Sequence, residues 1–228
     1  GDHRDLHVRS RRQRQMCIRD SRINKNGEND LYLPGVQLPG ALRATTNYDG
    51  IRDSDAVLLV TPAQHLRETL TRFAAHWPDE LPAVICCKGI EKETGALMAQ
   101  VVNETLGNVP VAVLSGPTFA QEVAVGLPAA ITLACEDRVL GKRLVDLIGT
   151  PEFRPYFSTD VAGVEVAGAI KNVLAIASGV VAGLKLGDNA RAALITRGIA
   201  EMSRLAVAMG GRVETMMGLA GLGDLTLT

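Results

Sequence analysis

The chain has 228 residues, 46% of them apolar and 4% aromatic, with a formal net charge of −1. That length buries a sizeable core, and a composition rich in Ala, Gly, Leu and Val excludes a disordered or disulfide-stapled protein. The near-neutral charge speaks against a nucleic-acid partner or an acidic membrane surface. Residues 1–22 form a basic run with no apolar stretch, so they are not a secretory signal. Asp2, Asp5 and Asp20 count against a transit peptide, and the lack of interleaved aromatics counts against a nucleic-acid arm. This segment reads as a non-native or disordered leader and is set apart from the fold.

Four short apolar runs follow, at 56–62, 83–89, 111–117 and 129–134. Continuous apolar runs ended by turn-forming residues read as strands buried on both faces, typical of a parallel sheet. Helical periodicity lies between them: Leu66, Leu70 and Phe73 share one face of 64–76, and Leu97, Val101, Val102 and Leu106 recur in 95–106. Strand–helix alternation predicts an α/β sheet with right-handed crossovers, and ligands in such sheets bind beyond the carboxyl ends of the strands. Adjacent Cys86 and Cys87 point to opposite faces of their strand and are poorly placed to bridge each other, which fits a reduced, cytoplasmic setting. From about residue 160 the pattern changes to two long helices, 161–184 and 189–209, with no strand between them. Glu165, Lys171 and Asn172 interrupt the first helix, and the uncharged run after them is too short to cross a membrane. The expected organisation is thus a leader (1–22), a partial dinucleotide-binding domain (23–160) and a helical substrate domain (161–228).

Several residues are suited to chemistry. Lys171 has Ala167, Gly168, Leu174 and Ala175 at helical spacing, so its ammonium projects from a small, apolar face. It is either a snorkelling lysine at the edge of a packed helix or a desolvated one able to exchange a proton near neutral pH. Asp224 follows three glycines in GLAGLGD; it is either a carboxylate presented on a loop or a helix cap. Lys88 lies at the carboxyl end of a strand, either at a ligand site or in a solvated loop. Ser115, Gly116, Pro117 and Thr118 form a turn after a strand, offering N–H groups and a hydroxyl, or only an ordinary helix cap at Thr118. No Cys–His cluster has metal-ligand spacing, so no metal is expected.

Taken in order, YLPG (32–35), VTP (60–62), KGIE (88–91), SGPTFAQE (115–122), GVEVAGAIKN (163–172), NARAALITRGIAEM (189–202) and GLAGLGDLTLT (218–228) resemble the bacterial NAD(P)-dependent sn-glycerol-3-phosphate dehydrogenases. The resemblance runs from about residue 23 to the last. It implies a Rossmann-like parallel sheet, truncated, followed by an all-helical substrate domain. It implies reversible reduction of dihydroxyacetone phosphate with NADH or NADPH in the cytoplasm, feeding glycerophospholipid synthesis, with a homodimer left open. The resemblance makes Lys171 the proton donor and Asp224 its site partner. It assigns Lys88, Gly116, Thr118, Asn172 and Thr228, beside Lys171 and Asp224, to the substrate. It assigns Tyr32, Lys88 and Ala120 to the cofactor.

Two departures stand out. The family opens with a glycine loop that seats a pyrophosphate on a helix N-terminus, and 1–22 carry no such loop. The family also continues beyond GLGD to an Arg–Asn pair that this chain does not reach. The expectation is a truncated chain, itself inactive and a poor binder of NADH or NADPH. Two other readings stay open: a related two-domain hydroxy-acid dehydrogenase, and an inactive fragment or regulatory nucleotide-binding module.

Overall fold

The computed structural model describes residues 22–227; Thr228 and residues 1–21 of the expected leader lie outside the described residues. Five strands form one sheet in the order β1 (Val57–Leu59), β2 (Ala83–Ile85), β3 (Val111–Ser115), β4 (Ala129–Ala134) and β5 (Phe153–Ser158). β1, β2 and β3 run parallel, as do β4 and β5. β4 is antiparallel to β3, with Leu114 opposite Leu133, so the expected parallel sheet is corrected to a mixed one. The physical reason is the connection: between β3 and β4 lies only the five-residue helix Ala120–Ala124. At about 1.5 Å per residue such a helix cannot carry the chain back along the sheet for a parallel crossover.

The sheet is buried on both faces because its residues alternate. Ala83, Ile85 and Val113 face one apolar cluster, while Val84, Ala112, Leu114, Ile131 and Leu133 face the other. Cys87 packs against the first cluster and Cys86 against the second, on opposite faces. Burial pushes the Cys86 thiol up to about 12 and the Cys87 thiol up to about 11, so neither is a thiolate at neutral pH.

On the first face lie α1 (Leu66–Phe73) and α2 (Met98–Leu106), buried through Leu66 and Leu70, and through Met98, Val101 and Val102. The short helix Ala120–Ala124 is α3. On the second face lies α4 (Arg138–Ile148), capped by Asp137, whose side chain accepts from the Val139 and Leu140 N–H groups.

The chain is helical after β5. α5 (Val161–Gly183) and α6 (Asp188–Ala208) lie against each other, followed by α7 (Val213–Met216), a π turn (Leu219–Gly223) and α8 (Asp224–Leu227). Val164, Val166 and Ala167 of α5 and Met202 and Ala206 of α6 belong to the same apolar cluster as Ile85 and Val113. This shared core ties the helical part to the sheet. Among the described residues α5 is the one helix long and apolar enough by composition to cross a membrane. Its first half is nevertheless buried in the protein, including Glu165 and Lys171. Its second half carries the exposed apolar side chains of Val173, Ile176 and Val180.

Candidate active site

Lys88 leaves the carboxyl end of β2, and Ser115 and Gly116 stand at the end of the neighbouring strand β3. α5 crosses these strand ends with Gly168 facing them. A Cβ at 168 would lie 3.1 Å from Ser115 Oγ and 3.3 Å from Lys88 Cγ, so the bare glycine makes room for the lysine stem. One turn further, Lys171 is 8% exposed. It does not snorkel to solvent: its Nζ donates to Asp224 Oδ1 at 2.5 Å. Lys88 Nζ donates to the other oxygen, Asp224 Oδ2, and to the Gly116 carbonyl at 3.4 Å. Asp224, 2% exposed, therefore holds one carboxylate between two ammonium groups.

The backbone that delivers Asp224 depends on close packing. A Cβ at Gly221 would lie 2.2 Å from the Met216 carbonyl oxygen, so only glycine lets the π turn fold back on α7. The turn then brings Asp224 up as the first residue of α8, with its carboxylate turned to the lysines. Burial lowers the Lys88 pKa below the usual lysine value; Asp224 opposes that shift and Lys171 adds to it. A lysine so poised, beside a second lysine and a shared carboxylate, can exchange a proton and stabilise negative charge on a ligand oxygen.

The structure thus brings together Lys88, Gly116, Lys171 and Asp224. Thr118 joins them through its hydroxyl, which donates to the Gly116 carbonyl at 3.4 Å; the cap of α3 is Phe119, not Thr118. Ala120 opens α3 and is exposed, and Asn172 is exposed on α5 beside Lys171. Tyr32 stands 62% exposed on a loop closed by a Leu38 N–H to Gly27 carbonyl bond of 2.7 Å. Thr228 lies outside the described residues.

Asp160, Glu165 and Thr61 were not among the functional residues read from sequence. Asp160 is buried at the start of α5 and accepts from the Gly163 and Arg212 N–H groups; an aspartate just before an apolar helix is a readable cap signal. Glu165, a mere interruption in the sequence pattern, reaches from α5 to the start of α2, where Oε1 accepts from the Ala99 N–H at 2.8 Å. Burial pushes its carboxyl up to about 7. Finally, the hydroxyls of Thr61, after β1, and Ser115, at the end of β3, are buried without partners. Ser115 Oγ and the Lys88 stem both face Gly168 at the ends of adjacent parallel strands, the place where ligands of such sheets bind.

Comparison with known proteins identifies the family. Residues 8–140 match the family described as NAD-dependent glycerol-3-phosphate dehydrogenase N-terminus, a match that begins inside the segment expected to be a leader. Residues 160–228 match the corresponding C-terminus family. A glycerol-3-phosphate dehydrogenase [NAD(P)+] from Paramagnetospirillum magneticum is 60% identical over 206 residues, which are 90% of this chain and 75% of that protein. The protein of the same name from Rhodospirillum rubrum is 57% identical over 90% of this chain and 59% of its own length. Among solved structures, glycerol-3-phosphate dehydrogenase from Coxiella burnetii superimposes with a TM-score of 0.87 at 41% identity, over 92% of this chain and 65% of that one. The chain therefore spans between 59% and 75% of the length of these three proteins.

Proposed function

The chain belongs to the NAD-dependent glycerol-3-phosphate dehydrogenase family, and from that premise we propose that the intact enzyme carrying this sequence reversibly reduces dihydroxyacetone phosphate to sn-glycerol 3-phosphate with NADH or NADPH. The reaction is cytoplasmic and feeds glycerophospholipid synthesis. The observation that carries this reading is the single carboxylate of Asp224 held between Lys171 and Lys88 at the strand ends. Residues 23–160 hold the cofactor, and 161–228 supply Lys171 and Asp224.

When bound, the nicotinamide supplies the hydride that the carbonyl carbon accepts. Lys171, as ammonium, donates a proton to the carbonyl oxygen as it becomes an alkoxide, and its charge stabilises that oxygen. Asp224 aims the ammonium by holding it at 2.5 Å. Lys88, whose side chain keeps 24% of its surface exposed, adds positive charge toward the substrate oxygens. Gly116, Thr118, Asn172 and Thr228 contact the phosphorylated substrate, and Tyr32, Lys88 and Ala120 contact the cofactor. The related hydroxy-acid dehydrogenases are not favoured by the comparisons, all three of which carry glycerol-3-phosphate in their names.

The test is a chimera that places 23–227 of this chain in the full-length Paramagnetospirillum relative. It should prefer dihydroxyacetone phosphate over dihydroxyacetone. Two charge-assisted contacts to phosphate, at roughly 1.5–3 kcal/mol each, amount to about 10² or more in kcat/KM. Comparable kcat/KM for the two ketones contradicts the phosphate-substrate reading.

A further inference from the structure

Lys171 and Asp224 are 53 residues apart and sit on separate pieces of backbone, α5 and the segment 212–224. Something must hold those two pieces in register, because hydrogen-bond geometry tolerates an error of only a few tenths of an ångström. One buried side chain touches both. Asp160, 5% exposed, caps α5 through Oδ1, which accepts from the Gly163 N–H at 3.0 Å. Its Oδ2 accepts from the Arg212 N–H at 2.9 Å and from the Thr215 hydroxyl. Its own N–H donates to Ser158 Oγ at 3.1 Å, which fixes the carboxylate's backbone to the end of β5.

From Thr215 the contacts continue to the site. The Thr215 carbonyl accepts from the Gly218 N–H at 3.2 Å, and the Gly218 carbonyl accepts from the Gly223 N–H at 3.1 Å. The next residue is Asp224. Two glycines allow the close approach this requires: a Cβ at Gly211 would lie 2.6 Å from the Gly163 Cα, and a Cβ at Gly163 would overlap the Asp160 carboxylate.

We infer that Asp160 is a positioning residue, which locks α5 and the segment 212–224 together so that Asp224 meets Lys171 and Lys88. The inference rests on the reading of Lys171 and Asp224 as the proton-transfer pair. It goes beyond ordinary helix capping, because a cap alone needs only the Gly163 contact. Asp160→Asn keeps shape and capping ability but removes the charge that binds three donors at once. Thr215→Val keeps volume and removes only the hydroxyl that passes the constraint on.

The experiment follows Lys88 by isotope-labelled lysine NMR over a pH titration of the chain itself. Lys88 faces Asp224, Lys171 and the Gly116 carbonyl, and Asp224 is the group that supports its charged form. Asp224→Asn should therefore move the Lys88 midpoint further down. Asp160→Asn and Thr215→Val should each move it in the same direction, and the Gly223 amide should exchange about tenfold faster in both. Thr215→Val keeps the test alive if Asp160→Asn does not fold. A lowered melting temperature with the Lys88 midpoint unmoved in both variants, while Asp224→Asn moves it, would overturn the inference and leave Asp160 a plain cap. An unmoved midpoint in Asp224→Asn would overturn the pairing itself, and this inference with it.

Discussion

Replacing Asp224 by asparagine removes the one anion between two ammonium groups while leaving the side chain's shape almost unchanged. Breaking a buried charge pair by deleting one partner costs about 3–5 kcal/mol, because the remaining charge is left buried and uncompensated. Here Lys171 is 8% exposed and suffers the full effect. Lys88 keeps 24% of its side chain exposed and can shed its proton, so the lower end of that range applies, about 3 kcal/mol. For a chain of this size that is roughly 6–12 °C in Tm. The pH dependence supplies a second reading. Burial sets the Lys88 pKa below the ordinary 10.5, and losing Asp224 lowers it further. Between the folded and unfolded values the unfolded chain binds more protons, so stability rises with pH across that window, and more steeply in the variant. Thermal melts of both proteins from neutral pH toward 10.5 should show a deficit that is large at neutrality and shrinks as pH rises. A deficit below about 1 kcal/mol at neutral pH, or one that grows with pH, would refute the buried three-membered cluster.

Two further substitutions test the packing around the site. The Glu165 carboxyl is raised from 4.5 to about 7 by burial, so its contribution to stability is full below 4.5 and is lost as pH rises to about 7. Glu165→Gln should therefore melt progressively higher relative to the parent as pH climbs through that window, and a flat difference would contradict the burial penalty. Gly168→Ala forces a methyl to within 3.1 Å of Ser115 Oγ and 3.3 Å of Lys88 Cγ. It should cost about 1–2 kcal/mol in thermal melts instead of the usual helix gain from alanine; a stabilised variant would show that the lysine stem does not depend on the bare backbone there.

The sequence carried the local parts of this fold well. Continuous apolar runs marked β1 to β4, and the bounds of β4 matched to the residue. The long apolar helix matched α5 to within a residue at its end. β5 escaped because Phe153–Ser158 contains Arg154 and Pro155 and half-exposed aromatics, which look nothing like a strand buried on both faces. The reversal of β4 escaped because apolar pattern reports burial and not strand direction. At the site the limit is sequence separation. Lys88 and Asp224 are 136 residues apart, and periodicity links only neighbours within a few turns. Sequence pattern on its own left Lys171 open between a snorkelling and a desolvated lysine; the ordered motifs of the resemblance pointed to Lys171 and Asp224 together. Asp160 was legible as a helix cap, but its bonds to Arg212 and Thr215 depend on the folded chain.

The most direct test of the proton-transfer pair is a double-mutant cycle on kcat in the chimera with the Paramagnetospirillum relative. Lys171→Ala should lower kcat by about 10² to 10⁴, the range for a general acid or base. Asp224→Asn should lower it less, because it removes the group that aims the ammonium and leaves the ammonium itself. Since Asp224 acts through Lys171, the double variant should be little slower than Lys171→Ala alone. Losses that simply multiply would mean that the two residues act independently, and near-normal kcat in Lys171→Ala would mean that the proton comes from elsewhere.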